Sequence, residues 1–295
     1  MLVLPTMPAA FPEGRTKVAN RGSSPEPRGE VFNGSITPDS PEHFTATWIR
    51  PAINTLPRTP KRSEIVARQI VEDVLRRRLA PGGLLAPESV MLAQYGVGRA
   101  TLREALRLLE AQGLVVLRPG PGGGTMLSSV DASDLGGTAT LFFRLAGATY
   151  RELVQAITVV QPWLAEMAAS RPDHKAAAAE LFEAIDVTDA VRDEPQGVFR
   201  TGPAFHAVVA KLSDNPVLST FVNALEAIFT NQVLSTFDLT PRQAEFLDAH
   251  RAIAKAISAG RRGEARRLAH AHAVDLQEYC EERAKQRLDH VIEWL

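Results

Sequence analysis

Cysteine is almost missing from this chain: Cys280 is the only one in 295 residues. An internal disulfide and a cysteine-built zinc finger are therefore excluded, and a reducing, cytoplasmic setting is the expectation. Also missing is any apolar run approaching the length of a membrane span. The opening Met-Leu-Val-Leu-Pro-Thr-Met-Pro-Ala-Ala-Phe-Pro is too broken by proline, and too poor in early positive charge, to read as a secretory leader. Excess charge is lacking as well. A net of −1 points by itself to no nucleic-acid partner, but the charge is unevenly placed. Residues 61–130 hold 10 Lys/Arg against 6 Asp/Glu, a net of +4, whereas residues 131–295 hold 17 against 23, a net of −6. A basic module joined to an acidic one fits a nucleic-acid reader coupled to a separate sensing domain.

The length leaves room for roughly two domains. Residues 1–57 are rich in proline and carry no apolar periodicity, so they cannot bury enough surface to offset their ordering entropy. We read them as a disordered tail whose basic residues brush DNA phosphates at most. Phe44 and Trp48 are its only candidate docking spot. Helical periodicity begins at Ser63, read as an N-cap, and runs through Ile65, Ile70, Val71, Val74 and Leu75 to Arg76-Arg-Arg78. Pro81-Gly-Gly83 then breaks the chain.

The most informative stretch lies between Glu88 and Thr125. Ser89 to Tyr95 reads as a short helix and Gly96-Val97-Gly98 as a tight turn. From Arg99 a longer helix follows, with Leu102, Ala105, Leu106 and Leu109 on one apolar stripe and Gly113 as its stop. Its other face carries Arg99, Thr101, Arg103 and Arg107. A short helix, a glycine turn and a longer helix with basic residues in its first turns form a helix-turn-helix, whose second helix enters the major groove. Two short apolar runs around Pro119-Gly-Pro-Gly-Gly-Gly124 make a hairpin, the wing.

The run Pro87-Glu-Ser-Val-Met-Leu-Ala-Gln-Tyr-Gly-Val-Gly-Arg-Ala-Thr-Leu-Arg-Glu-Ala-Leu-Arg-Leu-Leu-Glu-Ala-Gln-Gly-Leu-Val115, with the glycine-rich wing after it, resembles the DNA-binding domain of the GntR family of bacterial transcription regulators. The resemblance implies a winged helix over residues 58–130. Arg99 and Arg103 are the candidates for guanine contacts, since a guanidinium matches O6 and N7 bidentately. Thr101 would touch phosphate and Arg107 lies on the same basic face. Gly120 would let the wing backbone approach the minor groove. Ser89 stands where relatives often have arginine, which removes one contact and alters operator preference.

From residue 131 to the end the signal is almost wholly helical, with candidate helices at about 133–146, 149–170, 173–191, 198–212, 215–236, 241–259 and 262–290. The fold class is therefore mostly α: an N-terminal winged helix-turn-helix followed by an all-α bundle. Phe205-His-Ala-Val-Val-Ala-Lys-Leu-Ser-Asp-Asn-Pro-Val-Leu218, and the stretch from His250 to His272, resemble the FCD effector domain of the FadR branch of that family. The resemblance implies a divalent metal held by histidines on different helices, beside a pocket for a small effector. The positions that carry over are His206, His250 and His272. The aspartate expected four residues before the first histidine is Gly202 here, so an anionic ligand is missing. Three imidazoles plus water or an effector carboxylate still make a complete set for zinc or nickel. His270 is read as a surface residue, and His43 and His174 have no metal rationale. Gln161 replaces a charged position ahead of Pro162, and with Asn231 it is a candidate effector contact. The effector is either a small organic acid or a bulkier, acyl-type ligand.

These readings converge on a homodimeric, ligand-responsive regulator, in its commoner form a repressor, reading a pseudo-palindromic operator in double-stranded DNA. The alternative is a metal-dependent enzyme built in the bundle, for which three histidines and an open position would activate water. No Asp or Glu has a motif-based claim to be its general base.

Overall fold

Leu102, Ala105, Leu106 and Leu109 all point inward from one helix, and around them the N-terminal core assembles. The computed structural model describes residues 59–118, 120, 123–129, 132–194 and 197–294. The readings of the tail 1–57, of Phe44, Trp48 and His43, and of Val130 and Asp131 in the expected hinge lie outside the described residues. The described residues belong to one unit, His43–Leu295.

Helices α1 (Arg62–Arg77), α2 (Glu88–Tyr95) and α3 (Arg99–Ala111) pack Val66, Ile70, Met91, Leu102 and Leu106 into one cluster. The first helix begins earlier than the sequence reading has it. Lys61 is the N-cap, its backbone N–H donating to the Glu64 carboxylate at 3.1 Å. Ser63 is buried inside the first turn with its hydroxyl unpartnered, so it is not the cap. Asp73 of α1 ties the helix pair together by accepting from the Tyr95 hydroxyl at 2.9 Å and from Gln94 and Arg76. Burial, with Asp73 beside it, pushes the Tyr95 phenol up to about 12.

Helix α3 ends in a Schellman motif: Leu114 N–H donates to the Leu109 carbonyl and Gly113 N–H to that of Glu110, each at 3.0 Å. Gly113 takes φ +71°, and a Cβ there would stand 2.5 Å from the Asp134 carboxyl carbon. Glycine is thus required at the stop twice over, by backbone and by space. Strands β1 (Val115–Arg118) and β2 (Gly124–Leu127) pair antiparallel, with Val115 opposite Leu127 and Arg118 opposite Gly124. This is the expected wing.

The rest is helical: α4 (Ala132–Leu145), α5 (Tyr150–Ala169), α6 (His174–Ala177), α7 (Ala179–Ala190), α8 (Gly197–Leu212), α9 (Pro216–Gln232), α10 (Gln243–Ser258), α11 (Arg262–Arg283) and α12 (Lys285–Leu288). Three expected helices are broken. The run 173–191 divides at Ala178, 215–236 divides at Val233, after which Leu234–Thr236 is a 3-10 turn, and 262–290 divides at Ala284, the cap between α11 and α12. Helix α5 starts with a capping box, the Glu152 carboxylate accepting from Thr149 N–H at 2.8 Å. It lies along α11, with α8, α9 and α10 packed around the pair. Tyr150 closes one end: its hydroxyl donates to Gln232 and accepts from Arg287 and from Glu293 N–H. No described helix is long and apolar enough to cross a membrane.

Candidate functional site

The outer face of α3 carries Arg99, Arg103 and Arg107, spaced four apart and all exposed, with Thr101 half-buried beside them. Burying Leu102, Ala105, Leu106 and Leu109 forces these polar positions outward, because the apolar stripe occupies the opposite face. Arg103 stands 3.7 Å from the Glu88 carboxylate at the start of α2, a loose, exposed ion pair. Ser89 is exposed on the same short helix, and Gly120 is exposed in the wing at φ +102°. The sequence-derived contact residues are therefore all accessible.

The second site lies inside the bundle. Along α10, residues Phe246, Leu247, His250, Ile253, Ala254 and Ile257 form the buried stripe, so His250 sits where an apolar residue would normally pack. His272 does the same on α11, between Ala269 and Ala273. His206 on α8 follows the fully buried Phe205. The fold brings these three together from three helices: each offers one nitrogen, all within 4.8 Å of one another. His250 Nε2 and His272 Nε2 are 3.1 Å apart, near the about 3.3 Å edge of a tetrahedral ion with about 2.0–2.1 Å bonds to nitrogen. Phe205 stacks on His250 with ring centres 4.0 Å apart, and Phe246 meets His272 edge-on at 5.8 Å. Aromatic rings thus hold two of the imidazoles in orientation.

Burial keeps all three rings neutral. It pushes His206 down to about 3 and His272 to about 4, and holds His250 well below its usual value with its neighbouring imidazoles adding to the effect. Neutral imidazole is the form that binds a metal. His272 Nδ1, on the far side of its ring from Nε2, is buried without a hydrogen-bond partner, and so is the Thr230 hydroxyl on the wall of the same cavity. Buried polar atoms of this kind ordinarily have partners.

Two small cavities meet at the cluster, of about 20 and 50 Å³, sharing His206, Glu226 and His272. Together they hold roughly an ion and a few waters. A wider pocket of about 610 Å³ shares Phe199, Leu234 and Leu239 with the larger of them. Gly202 lines the inner cavity without a side chain to offer it. Gln161 reaches it from α5, its Nε2 standing 3.2 Å from His206 Nδ1. Asn231 does not reach it: the residue is exposed at the end of α9, away from both cavities, so the candidate contact there is withdrawn.

Sequence reasoning passed over Glu226. It is the single charged residue of α9 and accepts from Gln161 Nε2 at the cavity wall. Burial raises its carboxyl to about 7. In the sequence it is only a lone carboxylate between Val222 and Phe229 on an apolar stripe. Among the other histidines, His270 is exposed as expected, and His174 lies against the Ser258 carbonyl, 3.0 Å from it, outside the cluster.

Two known families match the chain. Residues 62–125 match the family described as bacterial regulatory proteins, gntR family, and residues 152–275 match the FCD domain. The HTH-type transcriptional repressor NanR of Klebsiella aerogenes is 28% identical over 180 residues, spanning 59% of this chain and 68% of that one. Its namesake in Cronobacter sakazakii is 29% identical over 160 residues, spanning 53% and 60%. The chain thus spans about two thirds or less of these relatives, which are transcriptional regulators and not enzymes. A Streptococcus agalactiae GntR structure shares the fold with a TM-score of 0.59 at 24% identity, over 74% of this chain and 99% of that one.

Proposed function

Because the chain belongs to the GntR family of bacterial regulatory proteins, in the branch that carries an FCD domain, we propose that it is a ligand-responsive transcriptional repressor acting as a homodimer on a pseudo-palindromic operator. In this reading residues 58–130 read the DNA and residues 131–295 sense the ligand and dimerise, with the tail 1–57 outside both. Arg99 and Arg103 contact guanines, Thr101 and Arg107 contact the backbone, Ser89 shapes operator preference, and Gly120 brings the wing to the minor groove. The enzyme alternative loses its ground, since the relatives are regulators and the cavity offers no placed base other than a carboxyl held by Gln161.

One observation carries the sensing half: three neutral histidines from three helices converge on a cavity that contains no Lys or Arg. His206, His250 and His272 would hold a zinc or nickel ion, which supplies the positive charge that a carboxylate ligand needs in an apolar interior. The chain's own residues do the rest. Phe205 and Phe246 fix the imidazole planes of His250 and His272, and the apolar wall excludes water. The narrow inner space favours a small organic acid over an acyl-type ligand, with any larger part lying in the outer pocket. A ligand bound differently by two arrangements of the bundle shifts the balance between them, and with it DNA affinity.

The test is a gel shift with DNA from upstream of the protein's own gene. A shift at low salt that small carboxylates release is the expected result. No shift at any salt would remove the regulator reading, and a shift that no carboxylate affects would remove the ligand class.

A further inference from the structure

Leu108 stands outside the α3 stripe that builds the N-terminal core: it is 40% exposed, next to the buried Leu109. With Ala67, Val71 and Leu109 it lines a groove of about 580 Å³ between α1 and α3. Leu75, one turn beyond Val71 on α1, is 69% exposed and prolongs the apolar strip. Apolar side chains gathered in this way, with polar residues around them, mark a binding surface, whereas single exposed ones do not. The groove is rimmed by Glu64, Arg68, Glu72 and Gln112, so two acids face one arginine and the rim is net negative. The described residues begin at Thr59, two before the N-cap of α1, and the groove opens at Glu64 in the first turn of that helix. Whatever immediately precedes Thr59 is therefore the chain nearest to it.

The sequence there has the matching chemistry. Phe44, Trp48, Ile49, Ile53 and Leu56 fall within thirteen residues, and from His43 to Arg58 the chain holds Arg50 and Arg58 and no acid. So short a segment builds no core of its own, but a groove already lined by α1 and α3 supplies the apolar partner it lacks. Pro57 and Pro60 suit a reversal of direction ahead of Lys61. Reach is ample: the chain from Trp48 to Thr59 spans up to about 36 Å, against roughly 16 Å along α1 from Glu64 to Leu75. We propose that the segment from Phe44 to Leu56 folds back along α1 and docks in this groove of its own chain, with Trp48 against Leu108 and Val71 and the two arginines toward Glu64 and Glu72. Residues 44–56 then join the winged helix, and only 1–43 stay outside it. Leu108 follows Arg107 directly on α3, so the docked segment supports the recognition helix on the side adjoining its arginine face.

The experiment uses the full chain with Trp163→Phe and Trp294→Phe, which leaves Trp48 as its only tryptophan. Emission wavelength and acrylamide quenching of Trp48 are read in this parent and after adding Leu108→Lys, with a melting curve for each. The expected result is blue-shifted emission and quenching severalfold weaker than for free tryptophan amide. In Leu108→Lys both should return to the free values while the winged helix stays folded. Trp48 quenched in the parent as fully as the free amide overturns the proposal. Shielding that survives Leu108→Lys places the segment elsewhere and refutes the groove. Should Leu108→Lys unfold the winged helix, Thr47→Cys combined with Gln112→Cys decides under mild oxidation, since Cys280 is buried. A disulfide within one chain upholds the proposal. No disulfide refutes it, and so does one between two chains, which would give the groove to a second copy.

Discussion

Arg99, Arg103 and Arg107 stand in solvent on one helix, four residues apart, whereas His206, His250 and His272 stand inside the bundle on three helices separated by dozens of residues. The first group needs only a rigid helix behind it. Its side chains stay hydrated and mobile, and its charge acts over the distance that salt allows. The second group exists only once α8, α10 and α11 have packed, and every member is altered by burial. The surface site is therefore cheap to build and easy to retune by single substitutions. The interior site is tied to the packing of the whole bundle, which suits a switch: what occupies the cavity is felt by five helices, α5, α8, α9, α10 and α11.

The largest expected effect belongs to the surface site. Arg103→Ala should weaken specific operator binding by about 1–3 kcal/mol, roughly 5- to 150-fold, and relax preference at one base pair. Titration of labelled duplexes with single-base changes checks this, and unchanged specificity would assign Arg103 to its Glu88 pair instead. A smaller effect should come at the junction below the recognition helix. Gly113→Ala forces a side chain into φ +71° and toward the Asp134 carboxylate, and should cost about 1–2 kcal/mol of stability by denaturant unfolding. An unchanged midpoint would mean that Asp134 and the α3 terminus move aside freely.

Acid should separate the two regions further. In the presence of chelator the three buried imidazoles resist protonation in the folded state, while in the unfolded chain they titrate near 6.5. Below that value the unfolded state binds more protons, so stability falls as pH is lowered from about 6.5 toward 4. Melting temperatures between pH 7.5 and 5 test it. A flat profile would place the histidines in contact with water. Bound metal should shift the loss to lower pH, since protons must then compete with the ion.

How much could be read from the sequence differs between the regions for the same physical reason. A helix-turn-helix is local: Gly96, the stripe from Leu102 to Leu109 and Gly113 lie within one short stretch, and periodicity alone separates the buried face from the arginine face. In the bundle, helix positions were readable from prolines and glycines, but contacts between helices were not. The histidines were found through family resemblance, and their convergence is a tertiary fact. Glu226 went unnoticed because one acid in an apolar helix carries no spacing signal until its neighbours on α5 and α8 are known. Ser63 misled because a serine near a helix start usually caps it, and here the Glu64–Lys61 bond starts the helix two residues earlier. Asn231 failed for a simpler reason: helix phase turns it to solvent.

The claim that joins the two regions is that the buried histidines hold an ion inside a DNA-reading protein. Elemental analysis of untagged protein, purified without chelator and compared with His250→Ala, tests it most directly. The account predicts about one zinc or nickel per chain in the wild type and loss of that metal in the variant. A wild type without metal, or a metal content that His250→Ala leaves unchanged, would contradict it.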